Sequence, residues 1–153
     1  MTELDTSPRP KRPEFRNINA FTDLPGYRLP LAGLVSILHR ISGAIMFVLL
    51  PFIIWMFDVS VSSEISFDRF KRVFNVGLPL SRELLVPGWF IKLVALGLIW
   101  AFMHHLIAGL RHLWMDVSHE AVTKSFGKNS AAATLALSIG LALIFGAKLF
   151  GAY

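Results

Sequence analysis

The sequence predicts an all-α membrane protein with three transmembrane helices. Hydrophobic residues make up 54% of the 153-residue chain, a high share for a soluble domain. They are concentrated in three long runs separated by polar stretches. The chain has no cysteine, which excludes disulfides, iron–sulfur clusters and thiolate zinc sites within it. A chain of this length fits a single domain.

The first apolar run follows a polar segment at residues 1–30. This segment is rich in proline and is not expected to be a cleavable signal peptide, because no apolar core follows its early charges. The first transmembrane helix is predicted at residues 31–57. His39 and Arg40 interrupt it, and Pro51 is expected to kink it, which membrane helices tolerate.

Two further spans follow. Residues 58–87 have mixed polarity and are predicted to form a periplasmic loop with a short amphipathic helix near residues 67–74. The second transmembrane helix is predicted at residues 88–115, followed by a cytoplasmic loop at residues 116–128. The third is predicted at residues 129–150, where small residues favour close helix packing.

The distribution of lysine and arginine predicts the orientation. With three spans, the N-terminal segment and the second loop share a side, and they hold most of the basic residues. These residues are Arg9, Lys11, Arg12, Arg16, Arg28, Arg111, Lys124 and Lys128. The positive-inside rule places the N-terminus in the cytoplasm. The net charge of +5 therefore indicates membrane topology rather than nucleic-acid binding.

The second span carries an unusual polar cluster on two neighbouring helical stripes. One stripe holds His105, Gly109, His112 and Asp116, and the other holds His104, Ala108 and Arg111. Polar groups at this depth are costly, so they usually have a partner or a function. A histidine followed one turn later by glycine leaves room for a flat ligand such as a porphyrin. The alternative is that these histidines only form hydrogen bonds with neighbouring helices.

A second polar cluster lies in the first span, where Ser36, Arg40 and Gly43 share a face beside His39. Arg40 lies roughly 13 Å into its helix and His105 roughly 15 Å from the end of the antiparallel second helix. The two clusters are therefore predicted at the same level. Arginine favours planar oxyanions, so a carboxylate, a propionate or a quinone carbonyl is an expected partner. The alternative is an ion pair between Arg40 and Asp116 that only joins two helices.

The histidines also limit how a haem iron could be bound. Adjacent residues His104 and His105 point about 100° apart on a helix. His105 and His112 share a face but lie about 10 Å apart along the axis, too far for one iron. A six-coordinate haem would therefore take its second ligand from another subunit.

Both polar clusters resemble motifs of the cytochrome b membrane-anchor subunit of succinate dehydrogenase, in the succinate:quinone oxidoreductase family. The motifs are SILHRISG at residues 36–43 and HLIAGLRHLWMD at residues 105–116. Arg12 followed by Pro13 also fits the family pattern. The resemblance runs from Arg12 to the C-terminus and is specific because both motifs occur together.

The resemblance implies roles for individual residues. His105 matches an axial ligand of a b-type haem whose other ligand comes from a second small anchor subunit. His39 and Arg40 match residues near the haem propionates. Ser36 and Arg40 match residues of a quinone site, and Asp116 matches an acid close to it.

The sequence leaves two assignments open. Arg111 and His112 match the end of the second motif, where they either bind a propionate or stabilise helix packing. His104 directly precedes the implied ligand, so the iron lies on either His104 or His105, with the spacing to Arg111 and His112 favouring His105.

The resemblance implies a haem b-containing anchor of respiratory complex II in the bacterial inner membrane. It would help bind and reduce ubiquinone or another quinone with electrons from succinate. The implied partners are a flavoprotein subunit, an iron–sulfur subunit, the second haem-binding anchor subunit and membrane lipid. The chain is not expected to be catalytic alone. The alternatives are a quinol–fumarate reductase anchor and a non-redox helical tether.

Overall fold

Helices form most of the computed structural model, which describes residues 17, 19, 21–23 and 26–152. The described elements are α1 (Leu31–Val48), α2 (Leu50–Val61), α3 (Glu64–Asn75), β1 (Gly77–Pro79), β2 (Leu85–Pro87), α4 (Gly88–Val117), a 3₁₀ turn (His119–Val122) and α5 (Lys124–Leu149). Helices α1, α4 and α5 are long and apolar enough to cross a membrane. The predicted all-α transmembrane fold is confirmed. Most of the predicted N-terminal segment, including Arg12 and Pro13, lies outside the described residues.

The first predicted helix is divided in two beside Pro51. Helix α1 ends at Val48, and Leu49 leaves the helical conformation with a ψ of 7°. Helix α2 then begins with Pro51 in its first turn. Proline has no N–H to donate, and its ring clashes with the carbonyl four residues earlier. The helix therefore breaks just before the proline instead of bending through it.

The region predicted as a loop at residues 58–87 contains α3 and a β-hairpin. Ser63 caps α3, since its hydroxyl accepts from the N–H of Ser66 at 3.1 Å and the Ser66 hydroxyl accepts from the N–H of Ser63 at 2.9 Å. In the antiparallel hairpin, Gly77 has a φ of +140° and lies against the carbonyl of Val86. A side chain at this position would be strained. The hairpin was not predicted, because strands of three residues carry too little pattern.

Helix α4 packs between α1 and α5 and positions the polar cluster. Val35, Ala108 and Ala131, one from each of the three long helices, form a buried cluster. At the other end of the bundle, Phe74 of α3 packs on Ile91 at the start of α4. Small side chains allow helices to approach closely. The polar motif of α1 is therefore fixed against that of α4.

Candidate functional site

Three histidine rings meet between α1 and α4. The ring of His39 stacks on that of His105, with centroids 4.1 Å apart and an interplanar angle of 20°. The ring of His112, about two turns after His105, has its centroid 5.2 Å from that of His39. Arg40 follows His39 directly in α1. The prediction that the two polar clusters lie at the same level is confirmed by these ring contacts.

The hydrogen bonds of His105 define its tautomer. Its Nδ1 lies 3.1 Å from the main-chain oxygen of His39 and 3.3 Å from the hydroxyl oxygen of Ser42. A carbonyl oxygen only accepts, so Nδ1 carries the proton and donates. Ser42 is fully buried and donates its own hydroxyl to the same carbonyl at 2.8 Å. The Nε2 atom of His105 therefore keeps its lone pair for a metal.

Two glycines keep the histidine rings close to the backbone. A Cβ on Gly43 would lie 3.0 Å from Cε1 and 3.3 Å from Nδ1 of His105, so no larger residue fits there without displacing the ring. A Cβ on Gly109 would lie 3.6 Å from Nε2 of His39, which is ordinary contact. Gly43 is therefore the tighter of the two positions.

His104 lies on a different side of α4. Its ring is fully buried, and its Nδ1 lies 3.2 Å from the hydroxyl oxygen of Ser138 on α5. It also stacks on Trp100, with ring centroids 5.5 Å apart. The Nε2 atom of this ring is buried as well, and it has no hydrogen-bond partner within the described part of the chain. His105, by contrast, is only partly covered, so the two histidines that the sequence left as alternatives have different surroundings.

Arg111 connects α4 to α5. It is only 8% exposed; its Nε donates to the hydroxyl of Ser130 at 2.9 Å and an Nη donates to the carbonyl of Gly127 at 3.3 Å. Charged hydrogen bonds of this kind join helices strongly in a buried setting. These contacts match the packing role, one of the two that the sequence left open. A propionate role stays a prediction.

The remaining predicted site residues lie at the margin of the histidine cluster. Ser36 is half-buried one turn before Arg40, and the side chains of Arg40 and Asp116 are exposed. Within the described part of the chain, the only ion pair joins Lys71 to Asp68. The alternative of an ion pair between Arg40 and Asp116 is therefore not formed, and the charge of Arg40 is available to another group.

Ser42 is the site residue that the sequence analysis missed. The available signal was a polar residue in the apolar part of the first span, three residues after His39. Among the residues that the structure describes, no three His, Asp or Glu side chains converge as a metal site. A single histidine nitrogen from this chain can hold a metal-containing group only if a second chain also binds that group. A haem that lies between two subunits would meet this requirement.

Comparison with known proteins gives consistent matches. Residues 9–145 match the family described as "Succinate dehydrogenase/Fumarate reductase transmembrane subunit". The chain is 31% identical to the succinate dehydrogenase cytochrome b556 subunit of Paracoccus denitrificans, covering 77% of this chain and 81% of the relative. It is 34% identical to the subunit of that name from Coxiella burnetii, covering 62% and 67%. It is 31% identical to the cytochrome b560 subunit of Porphyra purpurea, covering 81% and 86%.

Proposed function

The chain belongs to the succinate dehydrogenase/fumarate reductase transmembrane subunit family and is a multi-pass membrane anchor of succinate dehydrogenase, and we propose that it holds one side of a b-type haem and part of a quinone site. It acts with the other subunits of that complex. In this proposal they are a second haem-binding anchor subunit, an iron–sulfur subunit and a flavoprotein. The membrane is the bacterial inner membrane, with the N-terminus in the cytoplasm.

In this proposal His105 would bind the haem iron. The observation that carries the assignment is the hydrogen bond from its Nδ1 to the carbonyl of His39, which occupies Nδ1 and leaves Nε2 as the nitrogen that can bind a metal. His104 is less suitable because Ser138 and Trp100 enclose it. The haem, when bound, supplies a one-electron redox centre between the two anchor subunits. His39 and His112 stand beside the ligand and are suited to donate to the haem propionates.

Arg40 is the main quinone-binding residue in this proposal. Reduction of a quinone to a quinol takes two electrons, supplied from succinate through the iron–sulfur subunit, and two protons. The unpaired guanidinium of Arg40 donates to a quinone carbonyl and stabilises the negative charge that develops on its oxygen. Ser36, one turn away, donates its hydroxyl to the headgroup. Asp116 at the end of α4 relays protons from the cytoplasmic side.

The alternative functions differ in the direction of electron transfer or in whether the subunit takes part in electron transfer at all. The family description includes fumarate reductases, and an anchor of this kind also serves a quinol that reduces fumarate. The reduction potential of the native quinone distinguishes these directions. A non-redox tether would contain the same helices without a haem, and a reduced-minus-oxidised spectrum of the purified complex distinguishes it.

The ligand assignment is tested with His105→Ala in the assembled complex. We expect this variant to lose or shift the b-haem absorption bands, because the iron loses one axial nitrogen. Added imidazole should restore the bands in part by occupying the space that the ring leaves. The measurement is the reduced-minus-oxidised spectrum, normalised to the flavin content of the complex.

His104→Ala is the matched control, since it removes the neighbouring imidazole from the same helix. It is expected to keep the haem bands while lowering thermal stability, because the contact with Ser138 is lost. Bands that survive in His105→Ala and disappear in His104→Ala would transfer the ligand to His104. If neither change alters the bands, the ligand lies on another chain.

A further inference from the structure

A cavity lies away from the histidines, at the end of the bundle where α4 begins and α5 ends. Its volume is about 690 Å³, within the usual range of small-ligand sites. The walls are mainly apolar and come from all five helices, with Met46, Met56, Phe74, Phe102 and Phe145 as examples. We refer to this cavity as the lysine groove, since three lysines also line it.

The three lysines are Lys71, Lys92 and Lys148. The ammonium of Lys71 lies 2.7 Å from a carboxylate oxygen of Asp68, and this contact lowers the pKa of that carboxyl below its ordinary value. The ammonium of Lys92 lies 5.8 Å from the ring centroid of Phe150. Among the described residues, no carboxylate pairs with Lys92 or Lys148. The groove therefore has two cationic groups without an anionic partner.

We propose that the lysine groove binds an anionic phospholipid, with an acyl chain along its apolar wall and the phosphate on Lys92 and Lys148. Lys92 lies about 6 Å along α4 from its start, and Lys148 lies in the last turn of α5, so both reach the level of the headgroups. Lysine stems cover apolar surface while their ammonium groups remain at the polar boundary. An ammonium group at this level forms strong charged hydrogen bonds with a lipid phosphate in either leaflet.

The apolar walls and the unpaired charges select this ligand class together. A soluble anion would use the lysines but leave the apolar wall uncovered. A zwitterionic lipid would cover the wall but give the two ammonium groups a weaker net attraction. The site is distinct from the histidine cluster and does not depend on the haem or quinone proposal.

The test uses the assembled complex in detergent and a phosphatidylglycerol that carries a photoactivatable diazirine in its acyl chain. We expect labelled peptides to contain α4 residues near Phe102 and α5 residues near Phe145. Unlabelled phosphatidylglycerol should compete, whereas phosphatidylcholine and inorganic phosphate should not. The double variant Lys92→Gln and Lys148→Gln should need about 30-fold more lipid for equal labelling.

Arg82→Gln is the control, since it removes an exposed cation from the same end of the bundle outside the groove. It should label like the unaltered complex. Labelling spread evenly over the lipid-facing helices, or equal competition by phosphatidylcholine, would overturn the proposal. Competition by inorganic phosphate alone would show an adventitious anion site, and complete absence of groove labelling would show that the groove is covered by another subunit. Both results also reject the lipid site.

Discussion

Gly43→Ala tests how closely the histidine site depends on backbone contact. The new Cβ would lie 3.0 Å from Cε1 of His105, whereas non-bonded carbons are most stable about 3.5–4.0 Å apart. The ring or the helices must therefore move by about 0.5 Å, which is the tolerance of a preorganised site. Overpacking of this kind lowers the free energy of unfolding by about 1–3 kcal/mol. We expect weaker haem retention in the assembled complex.

Two other glycines turn this prediction into a graded series. A Cβ on Gly109 would be at 3.6 Å from the nearest side-chain atom, and one on Gly140 would meet nothing within 4 Å. Alanine favours helix by about 1 kcal/mol over glycine, so Gly140→Ala should be neutral or stabilising. Haem loss should therefore follow the order Gly43, Gly109, Gly140.

The assay is the haem-to-flavin ratio of each purified complex, with the temperature at which half of the b-haem absorbance is lost. Gly43→Ala should lower both quantities, and Gly140→Ala should lower neither. Equal haem retention in the two variants would show that the close packing of Gly43 on His105 does not position the ligand.

Two further substitutions separate quinone chemistry from packing. Arg40→Ala should lower quinone reductase activity by at least tenfold while dye-linked succinate oxidation survives. The control Arg82→Ala should change neither rate. Equal loss of both activities in Arg40→Ala would argue against contact between Arg40 and the quinone. Arg111→Met should lower the thermal midpoint of the complex, since each lost charged hydrogen bond is worth about 1.5–3 kcal/mol. The loss of stability should be non-additive with that of Ser130→Ala, because both changes remove the same hydrogen bond. Haem bands that shift in the folded complex, well below the thermal midpoint, would instead support a propionate role for Arg111.

The sequence was sufficient to predict the three spans and the meeting of the two polar clusters. Apolar run length determines the spans, and helical rise places Arg40 and His105 at similar depths. Both arguments use properties that hold along a single helix. Run length and helical rise were less informative for residues 58–87. The serine-capped helix α3 and the hairpin that begins at Gly77 are too short to give a clear hydrophobic period.

The choice between His104 and His105 needed the fold. Helical periodicity separates the two rings by about 100° but does not say which neighbour each one faces. That is decided by the packing of α4 between α1 and α5, which directs His104 to Ser138 and His105 to the carbonyl of His39. The role of Ser42 was missed for the same reason, because its contact with His105 joins two helices and spans 63 positions of the sequence.

The two polar faces of α4 differ in how far the rest of the chain covers them. The face that carries His104 and Arg111 is buried by α5, and each of these two side chains has a hydrogen-bond partner within the chain. The face that carries His105 and His112 is only partly covered, and Arg40 beside it is exposed. Hydrocarbon offers no hydrogen bonds to these groups, so leaving them against lipid is costly. The proposed haem and second anchor subunit would cover this open face, so that one helix would serve both the internal packing and the assembly.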